Sequence, residues 1–138
     1  MIPLNLQIRN FLSYGALQKI DFEPYNLICL SGRNGHGKSA LLDAITWAVW
    51  GQARKVSNTS KADEGLLRLG QSQMFVAMDF KVNGQKYRVR REFTLLNQKA
   101  TTNLDFAVWE NSSQQYKSHT DKTLRATQQK IEQVIGLT

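Results

Sequence analysis

The chain has 138 residues and a mass of 15.7 kDa, the size of one domain able to bury a real core. Hydrophobic residues make up 41% and charged residues 21%, which excludes disorder as the main state. Eighteen Lys and Arg against eleven Asp and Glu leave +7, a balance that favours an anionic partner, and the single Cys29 excludes an internal disulfide or a cysteine-rich zinc site.

Residues 4–9 alternate, with Leu4, Leu6 and Ile8 on one face and Asn5, Gln7 and Arg9 on the other, as in a half-buried strand. Ser13-Tyr14-Gly15 signals a turn, and Ile20 and Phe22 carry the alternation through a second strand ending at Pro24. Residues 27–30 (LICL) are apolar without alternation and stop at Gly32, which suits a strand covered on both faces. From Lys38 the period becomes helical through Leu41, Leu42, Ile45, Ala48 and Val49, with Gly51 as the stop. Residues 52–65 are polar and read as a surface loop. Val76, Met78, Phe80 and Val82 then alternate up to Asn83-Gly84, a strong hairpin signal, and Tyr87, Val89, Phe93 and Leu95 return. After a polar loop, Leu104, Phe106 and Val108 alternate again. Residues 111–119 read as a polar tail, with Thr120 or Asp121 capping a helix that runs to Val134 and ends at Gly136.

Residues 32–39 (GRNGHGKS) match G-x-x-x-x-G-K-[ST] at every fixed position, between an apolar strand and an amphipathic helix. A loop of this kind meets multiply charged phosphates with backbone N–H groups at a helix N-terminus. Gly32, Gly35 and Gly37 let the backbone bend close to the ligand. Lys38 is placed to reach the β- and γ-phosphates, and the Ser39 hydroxyl to coordinate Mg²⁺. Arg33 and His36 occupy variable positions; His36 is expected to supply its backbone N–H.

Hydrolysis needs more than this loop: an acidic residue for the metal and a group that orients water. Asp79 is the one candidate for the metal, but the alternation runs past it through Phe80 and Val82 into the hairpin. That pattern favours an ordinary strand residue, with the second half of the site supplied from outside the chain. Lys81, Lys86, Arg88, Arg90, Arg91 and Lys99 form a basic stretch relieved by Glu92 alone. Arg88 and Arg90 share one strand face, which fits either phosphate contacts to nucleic acid or a solvated surface. Trp47 and Trp50 read as core packing, Cys29 as a small buried hydrophobe and His119 as solvated.

The run SGRNGHGKSALLDAITWAVWG, with IRNFLSYG before it and LLRLG and YRVRREF after it, closely resembles the start of the SbcC-type DNA repair ATPases. These are SMC-like, ABC-superfamily partners of an SbcD/Mre-type nuclease, and the likeness runs over essentially the whole chain. The resemblance implies ATP and Mg²⁺ as ligands, double-stranded DNA as a partner, and a dimer of heads sandwiching two ATP molecules. It also implies a C-terminal lobe, from the same or a second chain, bringing the signature motif, the Walker B aspartate and the catalytic glutamate. By matching position, Asn34, Gly35, Gly37, Lys38 and Ser39 hold the phosphates and Mg²⁺, and Ala40 adds an N–H near the α-phosphate. The Ser13 loop lies near the base; some relatives carry a basic residue where Leu12 stands here.

The expectation is therefore an α/β P-loop lobe of ABC type over residues 1–138, with a core strand and P-loop helix joined to an antiparallel β-subdomain. The Q-loop, signature and Walker B are not in this sequence, so the isolated lobe is expected to bind ATP and not to turn it over. Two alternatives differ in class: a complete small P-loop nucleotide kinase with Asp79 on the metal, and a DNA-binding module whose P-loop is structural. No apolar run reaches the ~18 residues of a membrane span and no signal-peptide stretch opens the chain, so no membrane partner and a cytoplasmic location are expected.

Overall fold

Leu4, Leu6 and Ile8 are buried while their neighbours are not, and this alternation gives the first strand, β1 (Ile2–Arg9), one apolar face. The structure is a computed structural model that describes residues 1–11, 17–22, 36–51 and 70–136. β1 pairs antiparallel with β2 (Gln18–Asp21) on one side and β3 (Gln73–Val82) on the other. β4 (Gln85–Leu96), β5 (Lys99–Glu110) and β6 (Gln115–Ser118) continue as a meander. Among the described residues these form a six-stranded antiparallel sheet in the order β2-β1-β3-β4-β5-β6. The described helices are α1 (His36–Trp50) and α2 (Leu124–Ile135).

One cluster joins Leu41, Ala44, Trp47 and Ala48 of α1 and Ile131 of α2 to Leu6, Ile8, Val76, Met78, Phe80 and Val89 of the sheet. Both helices therefore lie against one sheet face, in a two-layer α/β arrangement. Each large apolar side chain buried there contributes about 1.5–3 kcal/mol relative to exposure. Trp47 is fully buried and Trp50 packs against the same cluster, as their spacing predicts.

The turns show where backbone geometry decides sequence. Asn83 and Gly84 take φ of 50° and 82°, the paired left-handed geometry of a two-residue hairpin. Asn97 and Gln98 adopt the same geometry, at 51° and 65°, without a glycine. The polar loop expected between Leu95 and Leu104 is thus a two-residue turn between long strands. The continuous β4–β5 register, from Tyr87↔Val108 to Leu96↔Lys99, outweighs the local strain of the turn.

Two expectations at the C-terminal end are corrected. The polar tail contains β6, whose Tyr116 meets Trp109 of β5 edge-on at 5.1 Å. A short edge strand can be polar, and cross-strand aromatic contact compensates for its missing alternation. The cap of α2 is Thr123, whose hydroxyl accepts the Ala126 N–H at 3.0 Å, and not Thr120 or Asp121. Thr120 instead bonds the Phe106 N–H, and the Asp121 N–H donates to Thr127 Oγ1. Gly136 ends α2 at φ 88° as expected. The 13–15 turn, Pro24, the 27–30 strand with Cys29, and the 52–65 loop lie outside the described residues.

Candidate functional site

His36, Gly37, Lys38, Ser39 and Ala40 form the opening turn of α1, two residues earlier than the sequence period suggests. Ser13, Gly32, Arg33, Asn34 and Gly35 lie outside the described residues. The first N–H groups of any helix have no partner within it, and the aligned peptide dipoles make that end positive. The first turn of α1 carries no acidic residue, so no carboxylate competes there for an anion.

The seat of α1 is well defined. Leu41, Ala44, Trp47 and Ala48 face the sheet, and Trp47 packs on Phe11 with ring centroids 5.7 Å apart. At its far end Gly51, with φ 77°, returns its N–H to the Trp47 carbonyl at 2.7 Å. The next two carbonyls are taken by side chains from other elements. Arg91 Nε of β4 donates to the Ala48 oxygen at 3.3 Å, and Gln128 Nε2 of α2 donates to the Val49 oxygen at 2.9 Å. Arg91 and Gln128 are themselves hydrogen-bonded. Arg91, only 3% exposed, is thus a buried cation at the negative end of the P-loop helix. By charge it belongs with the basic residues of the hairpin, but by phase it lies with Tyr87, Val89 and Phe93 on the core face of β4.

Asp79 occupies the opposite face of β3 from Met78 and Phe80, and so the opposite face of the sheet from α1. Its Oδ1 accepts Arg88 Nε at 2.6 Å, and its Oδ2 accepts Arg88 Nη2 at 2.9 Å and Asn5 Nδ2 at 3.1 Å. This forked pair is the chief reason that the Arg88 guanidinium is held above its ordinary basicity. Asp79 is a strand residue tied to its cross-strand neighbour, as the alternation predicts.

Arg88 and Arg90 do share the outer face of the sheet, and both are already engaged. Arg88 lies over the Tyr116 ring at 4.1 Å in addition to its pair with Asp79. Arg90 stacks over Phe75 at 4.6 Å and pairs with Glu92 at 3.1 Å. Lys86 sits 5.7 Å from the Trp109 ring centre. His119 is exposed; its backbone N–H bonds the Phe106 oxygen at 2.7 Å, and its own carbonyl accepts Lys130 Nζ at 3.1 Å. Among the described residues no helix is long and apolar enough to cross a membrane.

The fold and the loop-to-helix sequence define an α/β protein of the P-loop class. The family model described as "AAA domain" matches residues 5–137, and the chain belongs to that family. It is 37% identical over 93 residues to a protein of Aquifex aeolicus named as a probable DNA double-strand break repair Rad50 ATPase, covering 67% of this chain and 9% of the relative. It is 37% identical over 91 residues to the SbcC component of the nuclease SbcCD from Deinococcus radiodurans, covering 66% of this chain and 10% of that one. The SbcC component of the Staphylococcus aureus nuclease SbcCD is 32% identical over 141 residues, covering 96% of this chain and 14% of the relative. The SbcC-type resemblance seen in the sequence therefore holds. The chain spans only 9–14% of the length of these relatives. The SMC head domain from Thermotoga maritima is similar over 82% of this chain and 40% of that one, at 23% identity and a TM-score of 0.45.

Proposed function

We propose that the chain is the ATP-binding half of an ATPase head that couples nucleotide-driven head pairing to DNA end processing in double-strand-break repair. The reading rests on one observation: the GRNGHGKS run leads directly into a seated helix whose opening turn carries no acid. The names of the relatives supply the biological setting.

In this reading the N–H groups from Gly32 to Ala40 cradle the phosphates and Lys38 neutralises charge on the β- and γ-oxygens. Asn34 adds a polar contact, Arg33 and His36 add backbone donors, and the Ser13 loop approaches the base. The fit to Mg²⁺ is that of one hydroxyl ligand, Ser39, in the helix opening turn that would hold the phosphates. Bound Mg²⁺ supplies charge neutralisation between the phosphates. The carboxylate that completes its shell, and the base that activates water, come from a C-terminal lobe. Asp79 serves neither role, being on the far face of the sheet and locked to Arg88. That removes the observation on which a self-sufficient nucleotide kinase would stand. The partners in this reading are the C-terminal lobe, a second head, an SbcD/Mre-type nuclease and double-stranded DNA.

The test is ATP turnover by this chain alone and with a chain carrying the missing lobe. Binding without turnover alone, and turnover on addition of the lobe, is the expected result. Steady hydrolysis by the chain alone overturns the half-site reading.

A further inference from the structure

The opening turn of α1 is where nucleotide is proposed to bind, and among the described residues two side chains from other elements hold the opposite end of the helix. The Ala48 carbonyl accepts Arg91 and the Val49 carbonyl accepts Gln128, while Arg91 and Gln128 bond each other. Arg91 comes from β4 and Gln128 from α2, so three elements meet at one knot. Gly51 completes it: a Cβ there would come within 3.0 Å of Arg91 Nη1, and its φ of 77° already excludes most residues.

A buried guanidinium is costly to desolvate, and an apolar residue of the same volume is often as good for stability. Stability alone therefore does not account for a guanidinium at this position, and the packing of α1 points to positioning. Leu41, Ala44, Trp47 and Ala48 bury an apolar face whose contacts are non-directional, whereas the hydrogen bonds to the end carbonyls are directional and fix axial position there. A helix moves as a rigid rod, so a shift at Ala48 is delivered to Lys38.

We propose that Arg91, with Gln128, is a positioning residue for the phosphate cradle: it sets the axial position of the P-loop helix from its C-terminal end. This rests on the nucleotide-binding reading of residues 32–40 and adds a residue on another element to that site.

The experiment compares the wild-type chain with Arg91→Met, Arg91→Lys and Gln128→Leu. Mg²⁺-ATPγS affinity is read by calorimetry at a temperature where circular dichroism shows each variant folded. Arg91→Met is expected to bind about tenfold more weakly, within the range by which changes along a packed network alter a distant site. Arg91→Lys, keeping the charge but not the fork, is expected to fall in between. Should Arg91→Met fail to fold, Gln128→Leu carries the test, with about a threefold loss expected. Reciprocity gives a second readout: saturating nucleotide is expected to slow amide exchange at Gly51 in the wild type. A purely structural role lowers the melting temperature and leaves the affinity of folded protein unchanged, and that result overturns the proposal. A wild type that binds no nucleotide overturns the P-loop reading itself, and this inference with it.

Discussion

In the proposed reading Lys38 meets the phosphates and Asp79 does not meet the metal, so the two call for opposite expectations. Lys38→Ala removes a charge-assisted phosphate contact worth about 1.5–3 kcal/mol, so nucleotide affinity is expected to fall roughly ten- to a hundredfold with the fold intact. Calorimetry on the folded variant checks this, and unchanged binding contradicts the P-loop assignment. Asp79→Asn weakens a forked pair with Arg88, which is 46% exposed, so solvent screening limits the loss to about 1 kcal/mol. The expected outcome is a lower urea midpoint with unchanged Mg²⁺-ATP affinity. A large loss of Mg²⁺-dependent binding in that variant would restore Asp79 as a metal ligand.

At the scale of elements, α2 depends on its N-terminal network. Thr123→Ala removes the cap hydrogen bond and is expected to cost about 1 kcal/mol of stability, read from a denaturant midpoint. The Asp121 carboxylate is held below its ordinary value of 3.8, first by the Lys122 backbone N–H and then by Lys130. A group lowered in the folded state stabilises it above the ordinary value and loses that contribution as pH falls through the folded value. Protection of the first α2 amides is therefore expected to drop below about pH 3.8, and to do so less in Asp121→Asn. The same stretch shows why legibility varied. Thr120, Asp121 and Thr123 are all competent caps, and local chemistry cannot rank them; the packing of Ile131 and Gln128 sets the helix phase. The GRNGHGKS motif stands out in the sequence because phosphate binding requires Gly, Lys and Ser at fixed spacing, and its last four residues open α1. Arg91 was obscured by its basic neighbours, since charge patterning describes a surface and Arg91 faces inward.

For the whole molecule, the basic surplus and the arrangement of the outer face lead to different expectations. The +7 charge favours association with a polyanion, but Arg88 and Arg90 are held by Asp79, Tyr116, Glu92 and Phe75. A DNA surface that includes them would give sequence-independent binding, and each lost phosphate contact would flatten the log–log salt slope by about 0.9. With both guanidinium groups internally engaged, Arg88→Glu combined with Arg90→Glu is expected to leave the slope and the duplex affinity nearly unchanged. A salt titration of wild type and double variant decides it, and a shallower slope in the variant would bring this face into the DNA surface.

The order of pairing in the sheet bears on how the chain reaches its structure. β3 to β6 form a meander of neighbours in sequence, with two-residue turns at Asn83-Gly84 and Asn97-Gln98. β1 instead pairs with β3, bringing Arg9 beside Phe75 across the whole P-loop helix and the segment that follows. Closing so long a connection costs entropy before any contact repays it, so the meander is expected to form first and β1 to dock late. Apolar truncations then divide by kinetics: Val89→Ala in β4 slows folding, whereas Leu6→Ala in β1 mainly speeds unfolding. Chevron measurements on the two variants check the division. Late docking would also let α1 be the last major element to find its seat, so that a phosphate bound as proposed would slow unfolding far more than it speeds folding.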